Sequence, residues 1–398
     1  MSLNRPSPSQ SLPRRVKHLL RGIPAAVQLW RSVRKAAVTA RYYVLRLVGY
    51  AAYPFLGGRA PLRGYHVKAQ DFVQRGAGDY IRLQPLIHSP SDPFQPERFV
   101  AVIPGGRALY DSGVVISPDH RLLADVSWHG HDFVSQPKYH PAMHRVRLPA
   151  IQHIAGRVAV VSSVMPENYY HWMVDMLPRL RTLEDSGLAP DYYFINATTQ
   201  FQKDSLQALN ISADRILCPT AGTHIQADEL IVPSLPGPAF QITPQLEACE
   251  YLRSTFLKKD RTQKPHRAIY ITRNDAKTRR VINEAEIREE LIDSGFEVVS
   301  LSNVPLLEQI ELFAEARIIV GPHGAGFTNA IFSQPGSVLI EFMAEGWQIT
   351  SIERLARLGG ITYHSIVGKE HGISNGDVPS HDHTVDRAEL RNLLRQYA

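Results

Sequence analysis

Between residues 267 and 366 the chain alternates short apolar runs with helix-length amphipathic segments, and few folds accommodate that rhythm. Arg267–Arg273 (RAIYITR), Phe296–Leu301, Arg317–Val320, Ser337–Phe342 and Ile361–Ile366 read as strands. Asn283–Ser294, Leu306–Ala316, Phe327–Phe332 and Ile349–Leu358 read as the intervening helices, the first with Asn283 as N-cap and Glu286 completing a capping box. Apolar strands separated by helices pair in parallel, with crossovers that cover both sheet faces. The expectation is a doubly wound, Rossmann-like α/β domain, with Arg387–Tyr397 as a final helix.

A looser version of the rhythm precedes it. Arg157–Ser163, Tyr192–Asn196, Ile216–Cys218 and Leu230–Val232 read as strands, and Asn168–Leu183 and Phe201–Leu209 as helices. Pro233–Pro244 reads as a linker. From 66 to 150 the short runs Arg98–Ile103, Val114–Ser117 and Leu122–Ser127, joined by Gly, Pro and Asp turns, suggest an antiparallel β-rich lead-in.

Charge separates the first 70 residues from the rest. They hold thirteen Lys or Arg and no Asp or Glu, so a chain of net charge +6 carries −7 beyond them. The body is therefore no nucleic-acid-binding surface. Residues 1–13 are Ser- and Pro-rich and read as disordered. Arg14, Arg15, Lys17 and Arg21, then Trp30, Tyr42, Tyr43 and Arg46 on a helix-compatible run, suit an anionic membrane interface through residues 14–56. The apolar stretch Val44–Leu56 is too short to span a bilayer, and no signal peptide is evident. With only Cys218 and Cys249, no disulfide framework is indicated.

Three segments carry chemistry. Val320-Gly321-Pro322-His323-Gly324-Ala325-Gly326-Phe327 follows an apolar strand and opens a helix, where glycines and free N–H groups suit a phosphate. Its spacing is neither the dinucleotide fingerprint nor a P-loop, which disfavours an oxidoreductase or P-loop NTPase. His323 can donate to a phosphate or leaving group, with Thr328 and Asn329 adding contacts; a packing histidine is the alternative. Glu341 ends the next strand, where a carboxylate can take two ribose hydroxyls or be an ordinary strand-end charge. Arg273 ends its strand at the same edge and can grip a diphosphate, with Lys277, Arg279 and Arg280 as possible assistants. In Asn168–Arg179, His171, Asp175 and Arg179 fall at i, i+4 and i+8 on one helical face. An Asp beside a His suits a general base; a salt-bridge stripe is the alternative. His129 with His131, and His381 with His383, lack further ligands at metal-site spacing and read as surface or loop histidines.

Together, Asn168–Leu180 (NYYHWMVDMLPRL), Tyr270–Glu284 (YITRNDAKTRRVINE) and Val320–Phe342 (VGPHGAGFTNAIFSQPGSVLIEF) resemble glycosyltransferase family 61, over about residues 100–365. The resemblance implies a GT-B architecture of two Rossmann-like halves facing a cleft. The expected parts are a basic arm (1–65), an acceptor-side domain (66–240), a donor-binding domain (241–375) and a C-terminal helix (376–398). It implies inverting transfer from a nucleoside-diphosphate sugar, a UDP-sugar first, to a glycan or lipid-linked glycan in surface or capsular polysaccharide synthesis. No metal or other cofactor is expected, and no Asp-x-Asp motif occurs. Arg273, His323, Gly324, Ala325, Gly326 and Asn329 are placed at the donor, and Glu341 at the ribose. His171 and Asp175 are the acceptor-side catalytic candidates, either being the base. The expected location is cytoplasmic, peripheral at the inner membrane face. A pyruvyl- or phosphotransferase acting on polysaccharide, or a non-catalytic scaffold of the same fold, stays open.

Overall fold

The computed structural model describes residues 24–74, 78–84, 97–127, 136–236, 244–257, 263–371 and 380–397. Arg14, Arg15, Lys17, Arg21, His129, His131 and part of the Pro233–Pro244 linker lie outside them.

Two sheets organise the chain. The first contains β1 (Gly64–His66), β2 (Asp79–Leu83), β3 (Arg98–Pro104), β4 (Arg107–Leu109), β5 (Val114–Ile116), β6 (Arg121–Leu123), β7 (Gln152–Val160), β8 (Tyr192–Phe194), β9 (Ile216–Leu217) and β10 (His224–Pro233). Their order is β1-β6-β5-β4-β10-β7-β8-β9, with β3 also on β10 and β2 on β3. The long strand β10 joins the two styles of pairing. One edge takes β4 and then β3, both antiparallel, while the other runs parallel to β7. The β-rich lead-in is thus continuous with the parallel strands rather than a layer apart. Leu122–Ser127 is strand only to Leu123; Ala124–Val126 is a 3-10 turn, and Ser127 Oγ accepts from Val115 N at 2.8 Å.

The second sheet contains β11 (Arg267–Ile271), β12 (Glu297–Val299), β13 (Ala316–Pro322), β14 (Val338–Ala344), β15 (Thr362–Glu370) and β16 (His383–Thr384), in the order β12-β11-β13-β14-β15-β16. The first five are parallel, as the rhythm predicts, and β16 closes the edge antiparallel. Every residue of β14 is buried, as befits a strand covered on both faces. The strand order reverses between β11 and β13, so the connections leaving their carboxyl ends run in opposite directions, the arrangement that leaves a crevice at that edge. The Asn283 capping box is not formed: Asn283 instead pairs through its amide with the backbone of Val385, and Glu286 is salt-bridged to Arg387.

The largest apolar core belongs to both halves. It joins Tyr170, Trp172, Met173 and Leu177 to Leu252 and to Phe327, Ile331 and Phe332. Leu252 lies on a helix, Leu246–Phe256, that sequence reasoning missed. At the other end, the helix Pro24–Leu56 buries Tyr42 against Leu62, Ile116, Leu122 and Met143, and buries Leu45 as well. No helix among the described residues is long and apolar enough to cross a membrane.

Candidate active site

Three segments meet over one cavity of about 310 Å³, lined by Asn168, Tyr170 and His171 from the first half and Arg279, His323, Gly324, Ala325 and Trp347 from the second. The first contribution comes from a continuous helix: Tyr169–His171, a π-helical stretch Trp172–Met176, and Leu177–Asp185. Asn168 caps it as expected, accepting from Tyr170 N at 3.0 Å. His171 Nδ1 and Asp175 Oδ2 are 2.6 Å apart, so this candidate pair is formed, with His171 buried. A carboxylate on Nδ1 fixes the ring's orientation.

Arg179 does not join them. The π-helical stretch widens the turn by one residue and rotates the downstream residues about the axis. Arg179 is fully buried and donates to the carbonyls of Val161, Ser162 and Pro233 at 2.8–3.0 Å. Burial pulls its pKa down to about 9. It fastens the helix to the ends of β7 and β10.

On the other side, the segment after β13 turns as a 3-10 helix, Ala325–Phe332, not an α-helix. His323 Nδ1 lies 2.6 Å from Glu341 Oε1, and Tyr363 donates to Glu341 Oε2 at 2.7 Å. Glu341 is 0% exposed with both oxygens engaged, so it faces His323 and Tyr363 and does not line the cavity. With Glu341 ionised, His323 donates from Nδ1, and Nε2 is its only other polar atom. Asn329 is also placed elsewhere. It is buried between Tyr169, whose hydroxyl it accepts at 2.5 Å, and Gln309, to which it donates at 2.9 Å, and so ties the loop to the first motif. Thr328 is buried too.

The glycines serve the protein's own packing. A Cβ on Gly324 would collide with the Arg273 guanidinium, and one on Gly326 would sit 2.6 Å from Leu301 Cδ1. Arg273 therefore lies beneath Gly324, with Nη2 directed to Thr278 O at 3.4 Å, and is not itself among the lining residues. Burial lowers its pKa. Arg279 does line the cavity, and burial, reinforced by the charge of Arg273, pulls its pKa to about 10. Among the described residues neither guanidinium has a salt-bridged carboxylate. Of the other possible assistants, Arg280 is salt-bridged to Asp382 and Lys277 is exposed.

Of the two histidines read as surface or loop residues, His383 is neither, being buried on β16, while His381 lies in the loop before it and lines the cavity with its ring 5.1 Å from that of Trp347. Among the described residues no three His, Cys, Asp or Glu side chains are grouped to hold a metal. Sequence reasoning missed Trp347 and Tyr363 altogether. Neither lies in a motif, and a lone aromatic has no pattern to mark it. Arg279 was legible only as one of three cations in a basic run.

Known proteins match this part of the chain. Residues 169–340 match the family described as Glycosyltransferase 61. An alignment of 100 positions, covering 22% of this chain and 19% of the relative, is 26% identical to a beta-1,2-xylosyltransferase of Arabidopsis thaliana. The chain thus spans about a fifth of that relative's length. The segment that brings His171 to face Arg279 and the His323 loop is thus the part of the chain that matches the Glycosyltransferase 61 family.

Proposed function

We propose that this chain is an inverting glycosyltransferase that moves a sugar from a nucleoside-diphosphate sugar to a glycan or lipid-linked glycan acceptor, without a bound metal, in surface or capsular polysaccharide synthesis. The two sheets are read as facing halves of a GT-B enzyme, with residues 66–240 on the acceptor side, 241–375 on the donor side and 376–398 a closing helix. The observation that carries the reading is the shared cavity, with His171, held by Asp175, on one wall and His323, Gly324 and Ala325 on the other.

In this reading the acceptor hydroxyl gives its proton to the His171–Asp175 pair, and its oxygen bonds to the anomeric carbon. The bond from that carbon to the diphosphate breaks, its electron pair leaving on a phosphate oxygen. His323 and the backbone of Gly324–Gly326 stabilise that charge, with the positive charge of Arg273 acting from beneath Gly324, which is the work a metal ion does elsewhere. Glu341 acts by holding His323 rather than by binding a ribose. A UDP-sugar is the first donor to assay, and the plant relative's name makes UDP-xylose the first of these.

A thermal-shift series with UDP, GDP, CMP and TDP, with and without EDTA, tests the donor site. One nucleotide at about 100 times its Kd stabilises the fold by about 2.7 kcal/mol. The expected result is one EDTA-insensitive shift that Arg273→Ala abolishes. No shift with any nucleotide rejects the reading.

The arm adds a membrane partner to the proposal. Leu29, Val33, Val44, Leu47 and Phe55 recur at helical spacing and are exposed, Leu47 at 70% and Phe55 at 87%, on the side opposite the packed Tyr42 and Leu45. Arg34, Lys35 and Arg46 lie on the same helix, on a stretch without acidic residues. Such a helix lies in the interface of an anionic bilayer, here at its inner, cytoplasmic face. The full chain should float with phosphatidylserine vesicles, and Val44→Glu with Leu47→Glu should release it. Equal recovery of both proteins with the vesicles would contradict membrane docking.

A further inference from the structure

We propose that Arg46, Arg63 and Arg121, gathered round Tyr50 where the N-terminal helix meets the first sheet, form a site for a doubly charged phosphate monoester carried by a lipid headgroup. The proposal deepens the membrane-docking reading and rests on it. The apolar stripe of the helix supplies a general hold on the bilayer, and this cluster selects the lipid.

Three elements assemble the cluster. Arg46 and Tyr50 sit one turn apart on the helix Pro24–Leu56, Arg63 lies just before β1, and Arg121 opens β6. The Arg63 guanidinium carbon is 4.5 Å from the centre of the Tyr50 ring and 5.4 Å from that of Tyr53, and the Arg46 carbon is 5.9 Å from that of Tyr50. Arg121 Nη2 donates to the Tyr50 hydroxyl at 3.0 Å. Ring faces hold guanidiniums in direction without neutralising them. Strand pairing then sets Gly64 of β1 in register with Arg121 of β6. Gly64 has a φ of +153°, and a Cβ there would lie 3.8 Å from Arg46 Nε and 3.9 Å from Arg121 Nη1. The glycine thus leaves the space between two of the cations free of any side chain.

Charge decides what such a cluster can hold. Among the described residues Asp119 is the only carboxylate salt-bridged to it, at 3.1 Å from Arg121 Nε, and His66 shares that carboxylate. Three guanidiniums against one carboxylate leave two positive charges close together, which repel one another until an anion joins them. Two charges match a phosphate monoester better than a singly charged phosphodiester, and each planar fork can hold two phosphate oxygens. The same surroundings lower the pKa of the Tyr50 hydroxyl, through the Arg46 hydrogen bond first and then the charges of Arg121 and Arg63. The spot therefore favours an anionic oxygen. Position decides the source of the phosphate. Tyr50 is 36% exposed and stands one turn from Leu47 of the apolar stripe. When that stripe enters the boundary of the acyl chains, its border lies among the headgroup phosphates.

Flotation of the full chain tests this, with phosphatidylcholine vesicles that carry either phosphatidic acid or phosphatidylserine and are matched for surface potential. The pH is 8, above the second ionisation of a phosphate monoester at about 6. The wild type should bind the phosphatidic acid vesicles about tenfold more tightly, the scale of one charge-assisted contact. Arg63→Gln and Arg46→Gln should each erase that preference, and the second keeps the test readable if the first fails to fold. Lys35→Gln removes one exposed charge from the same helix outside the cluster. It should weaken binding to both vesicles alike and keep the preference. Equal binding of the two lipids by the wild type overturns the proposal. So does a preference that survives Arg63→Gln and Arg46→Gln, or one that Lys35→Gln reduces as much as they do. Calorimetry with glycerol 3-phosphate, the soluble headgroup, and with inorganic phosphate separates the sources. Both should bind far more weakly than the vesicles, and equal affinity for free and lipid-borne phosphate overturns the lipid source. A chain that floats with neither vesicle, yet binds glycerol 3-phosphate in a manner that Arg63→Gln abolishes, rejects membrane docking and the lipid headgroup while a phosphate site stands.

Discussion

Replacing His171 by alanine should lower kcat by about 10²–10⁴-fold, the range that a positioned general base supplies. Nucleotide affinity should stay within about twofold, since His171 belongs to the wall opposite the glycine loop. Asp175→Asn keeps the size of the side chain but removes the charge that orients the ring across 2.6 Å. It should lower kcat in the same direction. The double variant should be little slower than the worse single one, because two groups acting as a unit are not additive. Steady-state kinetics on the three variants, with nucleotide binding measured separately, decide the matter. Near-normal turnover in both single variants would remove the pair from the chemistry. A parallel loss of nucleotide binding would make it a structural stripe.

Trp172→Ala should produce the largest loss of stability, about 3–5 kcal/mol, the usual cost of emptying a fully buried indole site. Trp172 is 0% exposed, belongs to the core that joins the two halves, and donates from Nε1 to Ser205 Oγ at 2.9 Å. It opens the π-helical stretch directly after His171, so its loss should also loosen the His171–Asp175 pair. Trp172→Phe keeps most of the volume and should cost less, chiefly the hydrogen bond and a partial cavity. Equilibrium denaturation reads the two values. A cost below about 1 kcal/mol for Trp172→Ala would mean that the helix is not anchored through this residue.

What was legible in the sequence was local. Alternating apolar runs report which faces are buried, and that property depends on near neighbours, so the strands and helices of the second half were readable from periodicity alone. The His171–Asp175 contact was legible for the same reason: one helical turn separates the two residues. The helix Leu246–Phe256 was not, because the Pro-rich stretch before it obscured where the pattern resumes.

The tertiary structure decided where side chains point and which of them converge. Over two turns a small change of helical pitch matters, and the π-helical stretch sent Arg179 into the core instead of beside Asp175. Glu341 and His323 were each marked by position, but only the pairing of β14 beside β13 turns the carboxylate onto the imidazole and away from the open crevice. Arg279, Trp347 and His171 come from three segments, and no spacing along the chain records their approach to one cavity. Sequence by itself determined the pattern of buried faces and the chemical groups available, since both depend on near-neighbour residue types. Which groups face one another depends on how helices and sheets pack, and that is settled only when distant segments share a core.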